Sequence, residues 1–213
     1  MRQGFHEALE KLRQQVLLMG TATQSAVRHA VDSLLLQDIA KAEMVIQRDP
    51  AINQMQFAIE EECILLLARQ QPVATDLRRI MAALRISIDL ERIADMAVDL
   101  AKSTIRLDGK VSESFQEDLL SMIAIVDSMI SLALDSYALE STEKAQLLSE
   151  RDDRMDHVYR LSLEHMRTID ATAEGNAIIY AVLARCMERI GDHVTNIGEN
   201  VIYMCTGDRL DLN

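Results

Sequence analysis

The sequence predicts an all-α fold of two tandem, internally repeated three-helix bundles, and three observations carry that prediction. Aromatic residues make up only 3 % of a chain that is 49 % hydrophobic, whereas a sandwich or barrel would want many more aromatic and turn residues. Apolar side chains recur at helical spacing through long segments that two prolines and seven glycines barely interrupt. The second half also repeats the first in order.

Leu9, Leu12 and Val16 mark a first helix expected over 3–36. Ile52, Met55, Ile59 and Leu66 mark a second over 39–69, with a bend allowed at Pro50. Pro72 ends it, and Leu84, Ile86, Leu90, Ile93 and Ala97 carry a third over 73–106. The Asp108-Gly109-Lys110 turn signal separates a first repeat, 1–108, from a second, 109–213. Three further helices are expected over 112–139, 142–171 and 176–205.

The repeat can be read residue by residue. Ala30, Asp32 and Ser33 match Ala133, Asp135 and Ser136. At the same spacing Lys41-Ala42 meets Lys144-Ala145, and Arg48-Asp49 meets Arg151-Asp152. After a slightly shorter spacing, Glu91-Arg92-Ile93-x-Asp95 meets Glu188-Arg189-Ile190-x-Asp192. Ordered matches across three helices indicate an internal duplication.

Charge narrows the function. The net charge of −12 opposes binding to a polyphosphate backbone, so nucleic acid is not an expected partner. An anionic membrane leaflet would repel the chain too, so membrane association is expected only through protein partners. The longest apolar run, Ala177 to Ala184, is far short of a membrane span. Arg2 and Lys11 flank no apolar stretch, so no signal peptide is expected. Cys63, Cys186 and Cys205 show no Cys-x-x-Cys spacing and read as buried thiols in a reducing compartment.

The residues that carry chemistry lie on the third helix of each half. Glu91, Asp95 and Asp99 recur every four residues, as do Glu188, Asp192 and Asn196, with Glu199 close by. Residues i, i+4 and i+8 share one side of a helix, and this side faces away from the apolar arc of Ile190, Val194, Ile197 and Val201. The plainest explanation is a solvated face. Against it, like charges at i, i+4 cost a helix roughly 0.2–0.5 kcal/mol per pair, and the array occurs twice. A hairpin turning at Pro72 also sets Asn53 beside Glu91 and Asp49 beside Asp95. A turn near 172 does the same for Asp156 with Glu188 and Asp152 with Asp192.

Such oxygen-only clusters suit hard or borderline cations: magnesium, calcium, manganese or iron. They do not suit zinc, since no Cys joins them and His157 and His193 fall outside the repeated pattern. A ferritin-like metal enzyme would need Glu-x-x-His motifs, and none of the five histidines has a Glu three residues earlier. No phosphate-binding Gly-rich loop or nucleophile elbow is present, so the chain reads as non-enzymatic. Arg78 and Arg79 stand in the first turn of the third helix, where the dipole favours acids. They read either as a plain surface pair or as contacts for an acidic partner.

Three stretches give a resemblance: Gln70-Gln71-Pro72-Val73-Ala74-x-Asp76-Leu77-Arg78, Asp89-Leu90-Glu91-Arg92-Ile93-Ala94-Asp95, and Met187-Glu188-Arg189-Ile190-Gly191-Asp192-His193-x-x-Asn196-Ile197. In order and spacing they resemble the PhoU family over nearly the whole chain. The resemblance implies two similar three-helix bundles with multinuclear metal sites on E(D)-x-x-x-D motifs at the surface. It also implies a cytoplasmic regulator, expected as a homodimer, that acts with the ATPase subunit of a phosphate ABC transporter and a sensor histidine kinase. Such a protein keeps phosphate-starvation genes off when phosphate is plentiful.

Carried over by position, the metal motifs fall on Glu91 with Asp95 and on Glu188 with Asp192. Their helix-two partners are Asp49 with Asn53, and Asp152 with Asp156. The expected cofactor is a divalent or trivalent metal with oxygen ligands: iron, manganese or magnesium. Ala94 departs from the usual Gly, Asp99 from a frequent Asn, and Asn53 from the expected Asp. Because an amide ligates more weakly than a carboxylate, the first site is expected to be the weaker unless Asp99 compensates. The alternatives at this point are a carboxylate-bridged metal-storage or di-iron-like protein and a plain helical adaptor.

Overall fold

The computed structural model describes residues 2–70, 72–107, 109, 111–166 and 174–212. Within them the chain forms six helices: α1 Arg2–Leu36, α2 Ile39–Gln70, α3 Ala74–Arg106, α4 Glu113–Leu139, α5 Thr142–Met166 and α6 Glu174–Thr206. No strand occurs among the described residues. Helices α1–α3 form one bundle and α4–α6 the other. They join along α3 and α6, the most closely associated pair, with α1 touching α4 beside them. The expected turn near 172, part of the Asp108-Gly109-Lys110 signal and Gln71 lie outside the described residues.

The duplication extends to the hydrogen bonds that punctuate the chain. Helix α1 ends at Gln37, in the left-handed region at φ 51°, and α4 ends at Glu140, at φ 48°. In one half the Asp38 N–H bonds to the Ser33 carbonyl at 2.9 Å; in the other the Ser141 N–H bonds to the Ser136 carbonyl at 2.9 Å. Both are Schellman closures that satisfy carbonyls left free at a helix end. The next residue then caps the following helix. Asp38 Oδ1 accepts from the Lys41 N–H at 3.0 Å, and Ser141 Oγ accepts from the Lys144 N–H at 3.3 Å. Lys41–Asp32 at 3.5 Å and Lys144–Asp135 at 3.4 Å complete the parallel.

Helix α2 runs through Pro50 without interruption. Proline has no N–H, so the Ile46 carbonyl forfeits its helical bond there.

The core is continuous from one bundle into the other. Ile86, Leu90, Ile93, Ala97 and Leu100 of α3 are fully buried, as are Met187, Ile190, Val194 and Val201 of α6. Gly198 lets α5 approach α6, since a Cβ there would lie 2.5 Å from Leu148 Cδ1. Tyr180 stacks on Phe115 with ring centroids 4.6 Å apart, and its hydroxyl accepts from the Ser112 N–H at 2.9 Å. Together they fix the start of α4 on α6.

Counting unbroken apolar runs understates α4. Phe115–Leu139 is long and apolar enough to cross a membrane by length and composition. In this fold Phe115, Leu119, Met122, Val126, Met129 and Ala133 are instead sealed inside the bundle. Cys63 and Cys186 are buried as expected, while Cys205 is only half-buried. Burial pushes the Cys63 thiol up to about 12 and the Cys186 thiol up to about 11.

Candidate metal-binding seams

Pairing of α2 with α3, and of α5 with α6, creates two matching seams. In the first, Asp49 and Asn53 of α2 face Glu91 and Asp95 of α3. The Asn53 amide donates to Asp49 Oδ2 at 3.3 Å. Burial, and next the charge of Asp95, holds the Asp49 carboxyl above its ordinary range. Burial and then Asp95 raise Glu91 as well, with Arg92 opposing. Arg92 lies along the rim, 3.5 Å from Glu91 and 3.2 Å from Asp95.

The second seam is more acidic and more enclosed. Asp152 is buried, at 9 % exposure. Its carboxyl is pushed up to about 7 by desolvation first, then by Asp156 and Asp192. Glu188 is raised by burial and by Asp192. Asp192 is raised chiefly by burial, against the pull of Arg185. Arg185, one turn before Glu188 on α6, pairs with it. Gly191 lies against Asp152: a Cβ there would meet Asp152 Oδ1 at an unstrained 3.5 Å.

Four buried side-chain atoms among the described residues lack a hydrogen-bond partner, and three belong to these seams: Asp49 Oδ1, Asn53 Oδ1 and Glu188 Oε2. An unmet buried oxygen costs about 1–3 kcal/mol. Raised carboxyls and orphan oxygens in one all-oxygen donor set are what a hard cation would relieve. The residues therefore fit such a metal. They are gathered rather than caged, since no three His, Cys, Asp or Glu among the described residues stand in ready ligating geometry.

Three expected ligands have partners outside the core of the seams. Asp99, at the end of the first seam, pairs with Lys102 at 3.5 Å, and the Lys102 charge in turn opposes the rise of the Asp49 carboxyl. Asn196 donates to Asp89 Oδ1 at 3.3 Å, across the junction of the two bundles. Glu199 Oε1 accepts from the Leu212 N–H at 2.9 Å. Each step of four residues rotates about 40° around a helix, so a stripe aligned at its start swings off the seam within two or three turns.

Exposure differs along each seam. Asp95 and Asp156 remain open to solvent, but the glutamates do not. The side chains of Glu91 and Glu188 keep only 19 % and 12 % exposure, because α2 and α5 lie over the flank of the stripe. Sequence reasoning also missed Arg185, although its spacing from Glu188 is the i, i+3 pairing signature.

The basic pair finds its partners within the chain. Arg78 Nε donates to the Met204 carbonyl at 3.3 Å, near the end of α6. Arg79 forks onto Glu140 at the end of α4.

Comparison with known proteins agrees with this architecture. The PhoU domain matches residues 16–104 and again 119–201, once per bundle. A phosphate-specific transport system accessory protein PhoU homolog from Clostridium acetobutylicum is 36 % identical over 216 residues, spanning 100 % of this chain and 99 % of that protein. Two crystal structures superpose with a TM-score of 0.91 each. One is PhoU from Pseudomonas aeruginosa, 35 % identical and covering 96 % of this chain and 100 % of that one. The other is the phosphate transport system regulatory protein PhoU from Streptococcus pneumoniae, 30 % identical, covering 97 % and 99 %.

Proposed function

The chain belongs to the PhoU family, and from that premise we propose that it is an accessory regulator of phosphate transport. Its relatives are named for that role over their full length. In this reading it acts as a cytoplasmic homodimer on the ATPase subunit of a phosphate transporter and on a sensor histidine kinase, and it carries metal in both seams.

The observation that supports the metal part is the coincidence of orphan buried oxygens with raised carboxyls in both seams. A bound cation would supply positive charge to neutralise the acids. The chain's own residues do the rest. Asp49 and Asn53 present oxygens from α2 toward Glu91 and Asp95 on α3, while Asp152 and Asp156 do so from α5 toward Glu188 and Asp192. Arg92 and Arg185 hold acid oxygens at the rims. The metal-storage or di-iron reading is not favoured, because His193, beside Asp192 on α6, is engaged with Asp89 at 3.1 Å.

Affinity capture from cells grown in high and low phosphate tests the proposal. Transporter ATPase and kinase subunits should co-purify with the wild type. Glu188→Lys with Asp192→Lys should weaken that association and derepress phosphate-starvation genes. Intact regulation in that variant would remove the seam from the mechanism. Sustained Fe²⁺ oxidation that the variant abolishes would favour a metal enzyme.

A further inference from the structure

A concavity of about 330 Å³ lies along α6 beyond the second seam, between α3 and the C-terminal segment. Its walls include Arg85, Asn196, Asn200, Tyr203 and Arg209, with Ile88 and Leu210 at its apolar edge. The two arginines come from distant parts of the chain and meet at one ring. Arg85 Cζ lies 5.6 Å and Arg209 Cζ 5.9 Å from the Tyr203 centroid. Stacking engages the face of a guanidinium and leaves its N–H edge free to donate.

Among the described residues neither guanidinium has an ion pair or a hydrogen-bond acceptor. The pocket's acids are already committed. Asp89 Oδ1 accepts from His193 at 3.1 Å and from Asn196 at 3.3 Å, and Glu199 Oε1 accepts from the Leu212 N–H. In a chain of net charge −12, two arginines held on one aromatic platform, with neither guanidinium spent on a carboxylate, are an unspent anion-binding device. Paired guanidiniums match the oxygens of a phosphate group in geometry and charge. The volume lies at the low end of the roughly 300–1,000 Å³ typical of ligand pockets, which favours a small molecule over a protein segment.

We propose that this pocket binds the phosphate group of a small anion, with Arg85 and Arg209 as the paired donors and Tyr203 as the platform that positions them. The source is either free orthophosphate or a phosphate monoester whose organic part rests on Ile88 and Leu210. The site is independent of the metal seams, so it can fail while the regulatory reading stands.

Isothermal titration of the full-length protein in EDTA, with orthophosphate, adenosine monophosphate and glycerol 3-phosphate, tests it. At least one should bind saturably, and Arg85→Gln and Arg209→Gln should each weaken it about tenfold. Tighter binding of a monoester assigns the pocket to esters; equal or tighter binding of orthophosphate assigns it to the free ion. Arg209 is exposed, so its variant keeps the test valid even where Arg85→Gln disturbs folding. Three results would overturn the proposal: no saturable binding of any of these anions, equal affinity in the double variant, or binding of an acidic peptide alone.

Discussion

Arg79 grips both oxygens of Glu140, at 3.0 and 2.9 Å, and so ties the second turn of α3 to the left-handed residue that ends α4. Replacing Arg79 with Met should lower stability by about 0.5–1 kcal/mol, the upper range for a partly exposed but bidentate pair. For a chain of this size that is a fall of about 1–4 °C in Tm. The loss should shrink at high salt. A double-mutant cycle with Glu140→Gln should show the two changes to be coupled; strict additivity would mean the fork contributes nothing.

The second seam should make metal-free stability fall with rising pH. Asp152 titrates near 7 in the folded chain and near 3.8 when unfolded, so between those values the native state holds the extra proton. Stability from this group is then fully present below about pH 4, drains away through about pH 7, and is absent above. Chemical denaturation in EDTA should show this slope, and Asp152→Asn should flatten it. Saturating Mn²⁺ should flatten it too, because a bound cation favours the charged form. An unchanged slope in Asp152→Asn would place the titration elsewhere.

The first seam predicts a different outcome. At a concentration of 100 times its Kd, a divalent cation should add about 2.7 kcal/mol to the native state. Glu91→Ala with Asp95→Ala should abolish the share of the metal-dependent Tm rise that comes from this seam. Without metal the same change should be neutral or mildly stabilising, since it removes repulsion between raised carboxyls and costs the rim pairing with Arg92. A marked loss of metal-free stability would mean that the acids are structural.

Two glycines of α6 should respond oppositely to alanine. Gly198→Ala drives a methyl to 2.5 Å from Leu148 Cδ1 and 3.3 Å from the Ala145 carbonyl. With Leu148 wholly buried, a cost of about 1–3 kcal/mol is expected from overpacking. Gly191→Ala meets nothing nearer than 3.5 Å and removes a flexible residue from a helix interior, so it should be neutral or stabilising by up to about 1 kcal/mol. Thermal melts of both variants check the contrast.

The helices are legible in the sequence because their apolar spacing is local and breaks such as Pro72 are marked, with Pro72 and Val73 falling between α2 and α3. The caps that Asp38 and Ser141 supply emerge only in the folded chain. The seams are legible because a hairpin fixes which residues of adjacent helices meet. Asn196 and Glu199 find partners that helical periodicity does not show. Periodicity describes one straight helix, whereas Asn196 meets Asp89 of the other half and Glu199 meets the C-terminal segment. The enclosure of Asp152 and the destination of Arg78 and Arg79 likewise depend on how helices far apart in sequence approach one another. Nothing in a single helix's pattern encodes that.

The unbroken core along α3 and α6 changes what the ancestral doubling means for the present molecule. Two copies of a unit normally retain some independence, so one can decay while the other persists. Here each copy supplies a wall that the other needs, and a chain severed at Gly109 would leave two fragments, each with a bare apolar flank. The pair has become a single indivisible folding cooperative, which leaves neither half free to be lost.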